Sequence, residues 1–101
     1  MEEKNFMVKV IAKNFVKEDK IEKVLALAKE LVETTLKEEG GIKYEMYQDE
    51  KSPSTLIMIE EWETIEALNN HMSSEHFRRI VPQMGEFMDQ KAELNICRRV
   101  L

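Results

Sequence analysis

Apolar positions along this chain follow two periods, and each switch between them marks the border of an element. From Phe6 to Phe15 the period is two. Phe6, Val8, Val10 and Ala12 share one face, and Met7, Lys9, Ile11 and Lys13 share the other, as in a β-strand. Both faces carry apolar groups, which predicts at least partial cover on each. From Glu18 or Asp19 to Glu39 the steps become three and four. Ile21, Val24, Leu25, Ala28, Leu31, Val32, Thr35 and Leu36 fall on one side of a long helix. Acids at its start complement the helix dipole, and Lys29, Glu33 and Lys37 form an exposed ladder. Gly40-Gly41 supplies a left-handed stop. Alternation returns from Ile42 to Asp49, with Ile42, Tyr44 and Met46 set against Lys43, Glu45 and Tyr47. Glu50 to Ser54, broken by Pro53, is the turn of a hairpin. Thr55 to Trp62, the most apolar strand, is its second arm.

Thr64 is a good cap for a helix that holds Ile65, Leu68 and Met72 on one side and ends near His71. Ser74 caps a further helix through Phe77, Ile80, Val81, Met84, Phe87 and Met88. Pro82 predicts a kink or a fresh start there, because proline lacks the amide donor and clashes with the preceding turn. Ala92 to Leu101 is the last strand. The order β-α-β-β-α-β predicts an α+β, ferredoxin-like fold, an antiparallel sheet with its helices on one face. The whole of 1–101 reads as a single domain. The other sheet face carries either Met58 and Trp62 or Ile57 and Ile59, and water is a poor neighbour for both pairs. A homodimer packed sheet to sheet is the simplest cover. It also adds burial to a 101-residue chain that can form a core but buries only about 60–65% of its unfolded surface alone.

Charge and composition remove several classes of function. The net charge of −5 and pI near 5.1 disfavour a phosphate backbone, so nucleic acid is not an expected partner. The tight basic pairs, Arg78-Arg79 and Arg98-Arg99, read as solvated faces. No apolar run approaches the ~20 residues of a membrane span, and the opening MEEKNFMVKV is not a signal peptide. The expected location is the cytoplasm. Cys97 is the one cysteine, which excludes an internal disulfide and fits a reducing compartment. In a strand it reads as a small buried apolar group.

Candidate chemistry concentrates between Leu56 and Phe77. His71 titrates near neutrality and is the candidate general base or hydrogen-bond donor. Its plainer reading is a boundary histidine bonded to the last carbonyls of its helix. Trp62, the one tryptophan, is either a pocket wall or strand-end core. Tyr44 and Tyr47 lie on opposite faces of one strand, so one of them can line a pocket; Tyr44 is carried forward. His76 opposes the dipole of its helix and is expected to be neutral or exposed. His71 and His76 are separated by a helix break, unlike a metal-binding pair at four-residue spacing on one helix, so no metal site is expected.

The chain resembles the antibiotic biosynthesis monooxygenase family, in particular its small quinol-monooxygenase-like members. The resemblance runs through VKVIAKN, KEEGGIKYEMYQD and IMIEEWETIEALNNHMSSEHF. It implies a dimeric αβ-barrel with a pocket between sheet and helices in each subunit. It also implies oxidation of a small quinol or phenol by O2, without metal, flavin, haem or other cofactor. Such chemistry needs a base to form the electron-rich anion and a dry cavity in which radicals recombine. Asn14, at the end of the first strand, then becomes a substrate-binding candidate beside Trp62 and Tyr44; its plain reading is a turn residue. Haem-degrading relatives depend on an Asn, a Trp and a His. Asn14 matches the first, but His71 and Val81 stand at the other two positions, so haem is not expected. Fold alone leaves two alternatives: a non-catalytic small-molecule-binding or stress-response dimer, and an isomerase of small metabolites.

Overall fold

A computed structural model of the protein describes residues 6–101. Residues 1–5, which hold most of the acidic opening read as lacking a leader, lie outside the described residues. Strand β1 spans Val8–Phe15, helix α1 Ile21–Thr35, β2 Gly41–Gln48, β3 Thr55–Trp62, α2 Ile65–Met72, α3 Glu75–Gly85 and β4 Glu93–Arg98. The sheet runs β2-β3-β1-β4 and every neighbouring pair is antiparallel. This is the expected ferredoxin-like α+β fold.

Alternation assigns the sheet's two faces. Val8 and Val10 of β1, Tyr44 of β2, and Leu56, Met58, Glu60 and Trp62 of β3 are buried. All of these but Glu60 join Val24, Ala28 and Leu31 of α1 and Ile80 and Met84 of α3 in one core. Met58 and Trp62 therefore lie under the helices, and Ile57 and Ile59 face the open side. There Glu61 pairs with Lys9 at 3.3 Å and Lys43 at 3.9 Å, while Ile11, Ile57 and Ile59 are half-buried.

Helix α1 is shorter than its periodicity predicts. Ahead of it, Lys20 N–H donates to Lys17 O at 2.9 Å in a turn. At the far end Glu38 N–H reaches Thr35 O at 2.9 Å and Gly41 N–H reaches Glu38 O at 3.3 Å. These three-residue bonds unwind the chain early. Leu25 and Leu36, expected inside, are exposed. The chain leaves through Gly40 at φ 84°, and a Cβ there would lie 2.6 Å from Ala67 Cβ. Glycine at this turn lets α2 pack against it.

Three further expectations are corrected. Gly41 pairs with Trp62 and Lys43 with Glu61, so a bulge turns Ile42 outward instead of keeping it beside Tyr44. Pro82 does not interrupt α3, which is continuous across it. Pro82 and Arg78, whose carbonyl loses its helical donor, are both exposed, so solvent can replace the missing bond. Cys97 is half-buried rather than buried, because its register opposite Lys9 puts it on the open face. Arg79 ties α3 to α1 through Glu30 at 2.7 Å. Among the described residues no helix is long and apolar enough to cross a membrane.

Candidate active site

A cavity of about 420 Å³ lies between the sheet and helices α2 and α3. Val10 and Met58 from the sheet, with Leu68, Phe77 and Met84 from the helices, give it apolar walls. Tyr44, Glu60 and His71 bring polar groups to it. Leu94 and Ile96 of β4 also line it, yet they are 56% and 51% exposed. They share the face of Ala12 and Val10 by register, so the cavity opens along β4.

His71 sits at this cavity because of the caps around it. Thr64 Oγ1 accepts from Ala67 N–H at 3.0 Å and starts α2. Ser74 Oγ donates to His71 O at 2.6 Å and accepts from Phe77 N–H at 3.3 Å. One hydroxyl thus closes α2 and opens α3. The imidazole of His71 is 1% exposed, deeper than the edge position predicted. Its ring is not spent on the last carbonyls of α2. Nδ1 instead meets Glu38 Oε2 at 2.9 Å. A carboxylate oxygen only accepts, so Nδ1 carries the proton and Nε2 is left with its lone pair. Nε2 is buried and has no hydrogen-bond partner among the described residues.

The same Glu38 oxygen is bonded by His76 Nε2, and Ser74 Oγ lies 3.2 Å from that nitrogen. The helix break brings the two histidines together, with ring centroids 6.0 Å apart. The break between α2 and α3, rather than spacing along one helix, sets how close this pair lies. Glu38, His71 and His76 offer donor atoms within 4.8 Å of one another, a set of the type that holds a divalent ion. Here they are joined to each other by hydrogen bonds.

Trp62 is fully buried, with its ring centroid 4.7 Å from that of His71. It packs behind the cavity wall rather than lining it, and its Nε1–H donates to Glu60 Oε1 at 2.9 Å. Tyr44 meets His71 edge-on at 5.1 Å and Trp62 at 6.3 Å. Tyr47 points to the other face and bonds Glu45. Asn14 lines the cavity and also serves the strand end, where Nδ2 donates to Leu56 O at 3.2 Å. Phe77 packs against His71 at 5.0 Å.

Burial sets the protonation states. It lowers the His71 pKa against the opposing pull of Glu38, which keeps the ring neutral at pH 7. It raises the Tyr44 hydroxyl far above the usual phenol range, and the charges of Glu60 and Glu38 add to this. It also pushes Glu60 up to about 7, against the indole N–H and with repulsion from Glu38.

Glu38 and Glu60 escaped the sequence reading. Glu38 was hidden as the presumed last turn of a helix. Glu60 leaves a readable trace: an acid at every-second-residue spacing with Met58 and Trp62, inside the most apolar strand.

A ferredoxin-like sheet holding an apolar cavity with a buried imidazole at its wall defines the class of small α+β protein to which the chain belongs. The antibiotic biosynthesis monooxygenase profile matches residues 7–83. The chain belongs to that family, whose function is monooxygenase-like in general. It is 41% identical to a conserved protein from Methanosarcina mazei Go1 of known crystal structure, with TM-score 0.93 and 97% of each chain covered. A crystal structure of an antibiotic biosynthesis monooxygenase is 37% identical, with TM-score 0.89, covering 93% of this chain and 99% of that one. YcnE of Bacillus subtilis, a proposed monooxygenase, is 30% identical over 85% of this chain and 88% of its own length. An uncharacterised Synechocystis protein, sll1783, is 32% identical over 86% of this chain. The match spans 60% of the length of that relative.

Proposed function

We propose that the protein is a cofactor-independent monooxygenase that oxidises a small quinol or phenol with O2. The observation that carries this reading is the unpartnered Nε2 of His71, buried at an apolar cavity while Nδ1 is held by Glu38. Nε2 takes the hydroxyl proton of the substrate. The phenolate then passes one electron to O2, and the resulting radicals recombine at the ring carbon beside the ionised oxygen. For a hydroquinone the balance is hydroquinone plus O2 giving hydroxyquinone plus water. Tyr44 and Asn14 contact the bound ring, and Trp62 positions His71 and Glu60 from behind. Leu94 and Ile96 form the entrance.

The protein acts as a single-domain homodimer in the cytoplasm. Ile11, Ile57 and Ile59 on the open sheet face support the sheet-to-sheet contact, and a free Cys97 suits a reducing compartment. A monomer at micromolar concentration in sedimentation would refute the dimer.

Oxygen uptake with a panel of hydroquinones tests the activity. The expected result is uptake by the wild-type chain that falls by about 10²-fold or more in His71→Ala. Uptake unchanged in that variant would remove His71 from the chemistry. Product formed without O2 would favour isomerisation, and binding without turnover a carrier.

A further inference from the structure

The cavity has a second group able to handle protons. Glu60 is 6% exposed, lines the cavity, and accepts the indole N–H of Trp62 at 2.9 Å. Val10 of β1 and Tyr44 of β2 stand opposite it in the sheet. Glu38 repels it from the turn after α1. His71 of α2 packs against the indole with ring centroids 4.7 Å apart, His76 of α3 is bonded to Glu38, and Lys91 lines the cavity from the segment before β4.

We propose that Glu60 is the acid that protonates the ring peroxide formed in this cavity, and then the base that removes the hydrogen from the same carbon. This rests on the phenol-oxidising reading above. His71 holds the hydroxyl proton as imidazolium when the peroxide appears, and a second acid lets that proton be kept for the departing hydroxide. The neutral Glu60 carboxyl gives its proton to the peroxide oxygen, forming C–OOH. The carboxylate then takes the hydrogen of that carbon. The C–H electron pair becomes the second bond of the new carbonyl, the O–O bond breaks, and hydroxide leaves. The imidazolium of His71 protonates it to water. Both side chains end as they began, and O2 is reduced by the four electrons that the hydroquinone loses on becoming hydroxyquinone. Burial and the nearby Glu38 charge bring Glu60 to a pKa of about 7, so both of its forms are accessible at neutral pH.

The balance also selects the substrate. The ring carbon beside the ionised hydroxyl must carry a hydrogen. A hydroquinone methylated at all four carbons that otherwise bear hydrogen can bind and form an adduct but cannot yield hydroxyquinone.

The test is Glu60→Gln in the full chain. Glutamine keeps an oxygen for the indole N–H and nearly the same volume, but exchanges no proton. Anaerobic calorimetry should show hydroquinone binding unchanged within about threefold, while hydroxyquinone formation falls by about 10²-fold and hydrogen peroxide is released in place of water. Glu60→Asp, which keeps the proton at shorter reach, should recover about a tenth of the wild-type rate. Hydroxyquinone formed by Glu60→Gln at the wild-type rate without peroxide release would overturn the proposal, as would rapid conversion of the fully methylated substrate to a hydroxylated product. Wild-type protein that consumes no O2 with any hydroquinone defeats the parent reading instead. Infrared difference spectra at pH 6 then decide the state of Glu60: a carboxylic-acid band lost in Glu60→Gln upholds the neutral carboxyl, and no such band overturns it.

Discussion

Glu38 and His71 are 33 residues apart in sequence, yet Glu38 Oε2 and His71 Nδ1 meet at 2.9 Å. Three local features make that contact. The end of α1 tightens through Thr35 O, Gly40 turns with positive φ, and Gly40 O accepts Glu63 N–H at 2.8 Å ahead of α2. The carboxylate then fixes one tautomer of a ring buried by Trp62, Tyr44 and Phe77.

Glu38→Ala should therefore lower hydroquinone turnover by about 10²-fold while leaving anaerobic binding nearly unchanged. The ring loses its reason to present Nε2 rather than Nδ1. An unpaired buried Nδ1–H should also cost about 1–3 kcal/mol of stability, measurable by urea unfolding. Glu38→Gln keeps an acceptor oxygen and should fall between this variant and wild type. Equal turnover in all three proteins would show that Glu38 has no orienting role.

The pH dependence of kcat/KM should be a narrow bell. His71 must be neutral, and burial lowers its pKa, so the acid limb lies below the ordinary histidine value of 6.5. Glu60 must be protonated, so the alkaline limb falls at about 7. The two midpoints belong to the coupled cavity rather than to isolated residues. In Glu60→Gln the residual activity should lose the alkaline limb and keep the acid one. A single profile shared by both proteins would detach Glu60 from catalysis.

Stability should move with pH in a direction unusual for a carboxylate. Glu60 has a pKa of about 7 when folded against a model value of 4.5, so between these values the native state binds more protons. Stability is then fullest below pH 4.5 as far as this group is concerned, and it declines as pH rises through 7. The full loss is about 3 kcal/mol, set by the cost of charging a buried acid. Glu60→Gln removes it. Urea unfolding at pH 5 and pH 8 should show wild type losing ground to the variant across that interval, and a constant difference would contradict the burial argument.

Gly40→Ala should lower stability by about 2–4 kcal/mol, because a left-handed backbone and a steric contact act together. The new methyl would meet Ala67 Cβ at 2.6 Å. Ala67→Gly in the same chain should relieve the clash but leave the φ penalty. The double variant should thus be more stable than the two separate losses sum to, and simple additivity in denaturation would place the whole cost in the backbone.

Elements whose local pattern agreed with their packing were legible in the sequence. β3, with alternating Leu56, Met58 and Trp62, runs from Thr55 to Trp62 as the pattern predicts, and α2 is set by Thr64. The ends of α1 were not legible, because apolar periodicity continues through Leu36 while backbone bonding changes at Thr35. The site was half visible. His71 stands out by type and position, Tyr44 only as one of two tyrosines on opposite faces, and Asn14 only through the family resemblance, whereas Glu38 and His76 gain meaning only when a turn and a helix break bring them onto one imidazole. Trp62 had the right neighbourhood and a different task, since its indole faces the core and its N–H holds an acid.

That last contact yields a separate experiment. The indole N–H of Trp62 stabilises the charged form of Glu60 and so holds its pKa down against burial. Trp62→Phe deletes the donor and keeps an aromatic ring against His71. Glu60 should then stay protonated to higher pH, and the alkaline limb of kcat/KM should move upward by about one unit, the equivalent of a charge-assisted bond of ~1.5 kcal/mol. The acid limb, set by His71, should stay where it is. A cavity opened by the smaller ring would lower stability at every pH, but it would not displace one limb and spare the other. If both limbs hold their wild-type positions in Trp62→Phe, the N–H is not tuning Glu60, and Trp62 is packing alone.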